Sequence, residues 1–486
     1  MFQKKILAAA LTAAFFTPFA VAADDKELAQ IREQVREMKQ TYEARIQALE
    51  TRLLQAETNA RKAERATAEA ATAAPDASST APTSTSSALA SNVAPSVSAA
   101  PASPRSFNPS IALTLGGTYS NLSRDPKQYR LQGFIPAGED AGPGKRSFNL
   151  GESELTFSAN IDHRFSGQLT FALTPENTVS VEEAFVRTQG LSNGLNLKAG
   201  RFLSAIGYLN NQHAHAWDFV DAPLAYQAFL GGQYKPDGLQ MTWLAPTERF
   251  LEIGLEAGSG ASFPGNDRNR NGFGSTAVFA HVGDDVGESA SWRAGLSYLK
   301  TGATDRRFAD ADSSGAGVTN AFSGNSSTWI VDGIVKWAPG GNASQTSFKL
   351  QGEYFRRREN GTLSYDTQAQ SFGTSTGGYA SAQSGWYLQA VYQFMPAWRT
   401  GLRYDKLYSG TTGIGLVGNG ALTSTDFASL ASYNPSRSSL MLDYSPSEFS
   451  RVRLQLARDL SRPGVIDNQL FLQYIMSLGA HGAHTF

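Results

Sequence analysis

From Pro109 to Phe486 the chain runs as short amphipathic stretches joined by connections that alternate between short and long. About sixteen stretches carry the period-two pattern of a half-buried strand. They cover 110–122, 147–162, 165–174, 180–189, 195–205, 237–245, 249–258, 274–282, 289–301, 326–338, 345–358, 385–394, 398–408, 438–444, 450–460 and 469–481. Short connections fall at 163–164, 191–194, 246–248, 284–288, 339–344, 395–397 and 445–449. Mostly longer ones lie between them, at 123–146, 206–236, 261–273, 302–325, 359–384 and 409–437. A sandwich has no reason to sort its loops by length in this way, whereas an up-and-down barrel that crosses a membrane does. The fold class expected is therefore all-β, a transmembrane antiparallel up-and-down β-barrel of about 16 strands. An even strand count puts both ends of the barrel on the side of the short turns.

Parity assigns the faces. Phe348, Leu350 and Tyr354 alternate with Lys349, Gln351 and Glu353; Leu402 and Tyr404 alternate with Arg399, Arg403 and Asp405. Val452, Leu454 and Leu456 alternate with Arg451, Arg453 and Gln455, and Leu155, Phe157 and Ile161 with Glu152, Glu154 and Asp162. A charge facing lipid near the midplane would cost about 2–4 kcal/mol, so the charged parity is the inner one. Lys349, Glu353, Arg399, Arg403, Arg451, Arg453, Glu152 and Glu154 are the expected pore-lining residues. About sixteen strands leave an aqueous channel, where eight would be filled by side chains. Arginines gather on the later strands and carboxylates on the second. Either they set a transverse field across the pore or they pair with one another.

Composition excludes other classes. With 42 basic and 43 acidic residues there is no basic face for nucleic acid. The chain has no Cys, hence no disulfide scaffold and no thiolate metal site. No Walker A motif, GxSxG elbow or H-E-x-x-H occurs, and nothing pairs a nucleophile with a base, so no enzyme is expected.

The first 108 residues are organised differently. Lys4 and Lys5, the apolar run 6–19 and Ala20-Val21-Ala22 form a secretory signal, residues 1–22. Leu28, Ile31, Val35, Met38 and Tyr42, continued by Ile46, Leu49 and Leu53, trace a coiled-coil seam with one stutter over 23–69. Such a stripe is buried in a homo-oligomer, most simply a trimer, or against the chain's own barrel. Residues 70–108 are an Ala/Ser/Thr/Pro linker. The barrel occupies 109–486 and ends on an aromatic residue, as outer-membrane barrels do.

Loop 206–236 (IGYLNNQHAHAWDFVDAPLAYQAFLGGQYKP) is too aromatic for a solvated external loop and is expected to fold into the barrel as a constriction. His213, His215, Trp217, Asp218, Asp221 and Tyr226 are its candidate residues. His213 and His215, with His481 and His484 at the C-terminus, carry the nitrogen-donor chemistry of a metal site, zinc among the candidates. The alternative is that the loop histidines hydrogen-bond the barrel wall.

GESELTFSANIDHRFSGQLTF, the following VEEAFVRTQG and then LNLKAGRFLSAIGY resemble the phosphate-selective (O/P-type) porins over about three quarters of the chain. The N-terminal seam and linker resemble DcaP-like trimeric porins with periplasmic coiled coils. That resemblance implies a sixteen-stranded trimer passing small anions. The dense Lys/Arg ladder of a dedicated phosphate channel is missing here. The QHAHAWDFVDAPLAYQAFLGGQ loop and GAHGAHTF terminus are similar to a subgroup described as zinc-regulated outer-membrane receptors. A TonB-dependent receptor carries a plug and about 22 strands, whereas a coil and a linker precede this barrel.

The expected function is passive diffusion of small hydrophilic, anionic solutes across a Gram-negative outer membrane, with the N-terminal region periplasmic. Two other readings stay open. One is metal-linked uptake. The other is an envelope tether reaching the cell wall through the coil.

Overall fold

A computed structural model describes residues 109–479 other than 139–140, 152 and 175–177. The expected signal, coil and linker, Glu152, His481, His484 and the terminal Phe486 lie outside the described residues.

The strands are β1 (Ser110–Leu122), β2 (Ser147–Leu150), β3 (Ser153–Asn160), β4 (Phe165–Leu173), β5 (Val179–Thr188), β6 (Leu195–Arg201), β7 (Asp237–Leu244), β8 (Phe250–Gly258) and β9 (Ser275–Val286). They continue with β10 (Ala290–Ala311), β11 (Gly317–Trp337), β12 (Ser347–Tyr365), β13 (Ser375–Met395), β14 (Trp398–Ile414), β15 (Ser436–Ser447), β16 (Ser450–Arg462) and β17 (Val465–Gly479). Both β2 and β3 pair with β1, so these two segments form one stave broken beside Gly151. The result is a closed antiparallel barrel of 16 strands. Closure is made by β1 on β17, with Thr114 opposite Ser477 and Thr118 opposite Gln473.

The short turns expected from the sequence lie at one end, the turn end; the other, the loop end, carries the long connections 123–146, 202–236, 259–274 and 415–435 but also the short ones 312–316 and 463–464. In the first turn Asp162, expected to face inward, instead accepts from the backbone N–H groups of Arg164 (2.7 Å) and Phe165 (2.9 Å). Much of 302–325 and 359–384, expected as loops, is strand. Strands β10 and β11 run on to Ala311 and from Gly317, and β12 and β13 to Tyr365 and from Ser375. Outside the hydrocarbon many outward positions are Thr, Ser, Asn and Gly, with Lys300, Asp305, Arg307, Arg356 and Arg358 among them. Hydropathy alternation fades there, although the ladder persists, as Asn325 opposite Asn360 and Thr362 opposite Gly378 show.

Outward positions such as Val331, Leu388, Leu402, Leu454 and Leu472 are exposed. Here the usual rule that apolar side chains turn inward is reversed, as a lipid-facing wall requires. Inside, the larger apolar cluster is built around the loop between β6 and β7, and a second, with Ile135, Phe322, Leu363, Leu416 and Phe427, lies toward the loop end.

Candidate functional site: the inserted loop and the inner wall

Segment 202–236 leaves β6 and turns into the barrel, and each part of it is held by an inward side chain. Leu203 N–H donates to Glu183 (3.0 Å), Ala205 N–H to Glu256 (3.0 Å), and Ser204 hydroxyl to the other Glu256 oxygen (2.5 Å). Gly207 then adopts φ +69°, where a Cβ would collide with the Glu353 carboxylate. That approach lets Glu353 accept from Tyr208 N–H (3.2 Å), Leu209 N–H (3.0 Å), Tyr226 hydroxyl (2.9 Å) and Tyr387 hydroxyl (2.6 Å). Helix α1 (Leu224–Leu230) is buried at every residue and ends on left-handed Gly231. Tyr226 meets the Phe355 ring edge-on at 5.1 Å, and Phe229 stacks on it at 5.8 Å. The aromatic character of the loop is thus satisfied by burial inside the barrel.

The middle of the loop is fastened by charge. Asp218 contacts Lys349 (2.5 Å), Gln389 (2.9 Å) and Arg399 (3.5 Å). Asp221 contacts Arg403 (2.8 Å), Arg437 (2.6 Å) and Gln455 (2.9 Å). Arg453 donates to the Trp217 carbonyl (2.8 Å) and pairs with Asp443 (2.8 Å), which also holds Arg399 (2.6 Å). Of the two sequence alternatives for the inner charges, this is mutual pairing. It runs largely between loop and wall.

The histidines occupy the opposite wall. His213 Nδ1 lies 3.0 Å from Glu154 and 3.1 Å from Glu182, and its Nε2 lies 3.2 Å from Glu183. His215 Nδ1 is 2.8 Å from the other Glu154 oxygen, and the two imidazoles stack at 5.6 Å. Both His213 nitrogens face carboxylates, so both act as donors only as an imidazolium. Burial opposes that charge, but Glu154, assisted by hydrogen bonds to Glu182 and Glu183, outweighs it and holds the pKa well above the ordinary value. One donor atom each from Glu154, His213 and His215 also lie within 4.8 Å of one another, near enough to share a metal ion. The partners expected from the C-terminus, His481 and His484, lie outside the described residues, as does Glu152.

The other predicted site residues separate into two groups. Glu154, Glu353, Arg403 and Arg453 are buried beneath the loop, whereas the side chains of Lys349, Arg399 and Arg451 remain 25%, 13% and 12% exposed. Sequence reasoning missed that these last three belong to a ring. Arg187, Lys198, Arg293 and Lys336 also occupy inward positions close to the turn end and are partly exposed. The signal was present: each is the basic residue on the inner parity within a few positions of a short turn. Lys336 stands directly opposite Lys349 in the ladder. Among the described residues the inward carboxylates exposed at this level include Glu252, which faces His281 (2.9 Å), and Asp285 at the turn end of β9.

Over 420 residues the chain is 30% identical to an uncharacterized protein of Aquifex aeolicus (strain VF5), covering 79% of this chain and 81% of that one. The chain belongs to the family of that protein. No protein-family model matches it. Among solved structures, a loop L8 deletion mutant of OmpT, an outer membrane protein of Vibrio cholerae, is similar with a TM-score of 0.46 at 10% identity over 76% of this chain and 99% of that one. The outer membrane channel DcaP of Acinetobacter baumannii gives 0.44 at 11% over 76% and 97%. An anion-selective porin from Comamonas acidovorans gives 0.45 at 10% over 76% and 99%. Likenesses this distant decide nothing about solute or partner.

Proposed function

We propose that the protein is an outer-membrane porin for passive diffusion of small hydrophilic anions, with loop 206–236 as its constriction. The barrel serves as a trimer, and residues 23–69 and 70–108 supply a periplasmic coil and spacer. The observation that carries the reading is the basic ring at the turn-end mouth. Arg187, Lys198, Arg293 and Lys336 have no ion pair among the described residues. Like charges directly opposed on a ladder, as Lys336 and Lys349 are, destabilise a sheet. A ring of cationic side chains in a wet mouth raises the local concentration of anions and selects them. Of the nearby carboxylates, Asp218 holds the loop to Lys349 and Arg399, Asp443 is shared by Arg399 and Arg453, and Glu252 faces His281. No catalytic role is proposed.

Reversal potentials across a planar bilayer under a KCl gradient test this directly. Chloride should permeate faster than potassium; folded protein that never conducts, or that prefers potassium, ends the proposal.

The Glu154–His213–His215 cluster favours a second reading, a divalent-cation site that ties the loop to β3. Two imidazoles and a carboxylate suit zinc, and its binding would displace the His213 proton. Calorimetry with zinc on wild type and on a His213→Ala/His215→Ala variant separates the two readings; equal or absent heats remove the metal.

A further inference from the structure

Toward the loop end the outward face of β10–β12 carries a cluster of positive charge. On β12 the outward residues Leu350 and Tyr354 are followed by Arg356 and Arg358, both exposed. Arg356 stands opposite Trp329 of β11, and Arg358 opposite Ser327, which in turn faces Lys300 of β10. Tyr298 packs on Trp329 with ring centroids 4.7 Å apart. Tyr298, Ser327, Trp329, Arg356 and Arg358 line one open notch. Lys300, Arg356 and Arg358 form no side-chain hydrogen bond or ion pair among the described residues. The carboxylate on this outward face, Asp305, lies farther toward the loop end and is held by Arg307 at 2.8 Å.

Height in the wall excludes the hydrocarbon as their neighbour. A lipid-facing Arg costs about 2–4 kcal/mol at the midplane and about 0–1 near the interface. The aromatic pair marks that interface, since Trp and Tyr rings sit at headgroup level. The three cations therefore lie in the headgroup layer at the loop end.

We propose that this notch binds the phosphates of a phosphorylated glycolipid of the outer leaflet. The inference rests on the outer-membrane reading above, but not on what the pore passes. Charge complementarity points to the occupant: a guanidinium meets phosphate oxygens in a bidentate fork, two such forks stand on alternate outward positions of one strand, and Lys300 adds a third charge. Tyr298 and Trp329 offer flat apolar surface to the sugar and to the first acyl carbons. The tall strands β10–β14 carry this face, on the side of the barrel away from the short-walled staves β3–β8.

The test is native mass spectrometry of the full-length protein in detergent, titrated with bisphosphorylated lipid A. The same lipid with its phosphates removed is the control, and inorganic phosphate the competitor. Wild type should bind the phosphorylated lipid at least about tenfold more tightly than the dephosphorylated one, resist millimolar phosphate, and lose that preference in Lys300→Gln/Arg356→Gln/Arg358→Gln. The variant should still show heat-modifiable migration and wild-type conductance, which separates a failed notch from a failed porin. Equal binding of the two lipids, an unchanged preference in the variant, or displacement by free phosphate overturns the proposal. So does loss of the oligomer in the variant, which would make the notch a protomer contact.

Discussion

Glu353 shows how one inward carboxylate governs the loop. Four donors converge on it, two backbone N–H groups and two tyrosine hydroxyls, and it is 3% exposed. Each buried donor left without a partner costs about 1–3 kcal/mol. Substituting Glu353→Ala should therefore release the loop locally while the ladders keep the barrel closed. The expected result is a heat-modifiable barrel with larger, noisier single-channel conductance; wild-type conductance would show that other contacts suffice. Gly207→Ala should act in the same direction, because its Cβ would fall on the Glu353 carboxylate at a positive φ. Sequence parity identifies Glu353 as inward, as it does Arg403 and Arg453. It is silent on what lies above them, because a loop's partners depend on where a distant segment folds. All three underpin the loop.

At the scale of the element, segment 202–236 is a strap fastened at both walls, and the β3–β5 attachment is sensitive to pH. The folded pKa of His213 is raised above its unfolded value of about 6.5 by Glu154, Glu182 and Glu183 against the pull of burial. The stabilisation is therefore fully present below about pH 6.5 and is lost as pH rises through the folded pKa. Conductance should be constant at neutral and acidic pH and rise on the alkaline side. In His213→Ala the alkaline step should vanish, because the attachment is already gone. A wild-type conductance flat to high pH would show that the imidazolium does not fasten the loop. The loop was legible in sequence from a physical contradiction, long aromatic stretches in a connection, which burial alone resolves. The upper halves of β10–β13 were illegible for the converse reason. Residues such as Thr319, Asn325, Thr362 and Thr376 face headgroups or water, so their strands are held by backbone ladders that leave no mark in hydropathy.

The whole barrel is lopsided, and that asymmetry bears on assembly and on selectivity. Strands β6 and β7 have 7 and 8 residues, while β10 and β11 have 22 and 21. A tilted strand needs about 9–11 residues to cross the hydrocarbon, so the β6–β7 wall is too short to face lipid alone. A neighbouring protomer would cover it. Placing charge there by Leu197→Arg/Leu239→Arg, two exposed outward positions, should convert trimer to monomer on native mass spectrometry; an unchanged assembly would place the contact elsewhere. Selectivity belongs to this scale too, because the turn-end ring draws its charges from strands all around the mouth. Lys336 and Lys349 face each other across β11 and β12, and Lys349 also holds Asp218. Removing Lys336 alone subtracts a mouth charge without touching the loop, so Lys336→Gln should lower the chloride-to-potassium permeability ratio at unchanged conductance noise. Lys349→Gln should lower the ratio and also add noise, since it frees one side of Asp218. Raising the salt should shrink both changes in selectivity, because charges in a wet mouth are screened over about 10 Å at 0.1 M and about 3 Å at 1 M. If the two variants instead give the same reversal potential as wild type in dilute salt, the ring does not select, and the buried pairs that hold the loop are the remaining source of any ion preference.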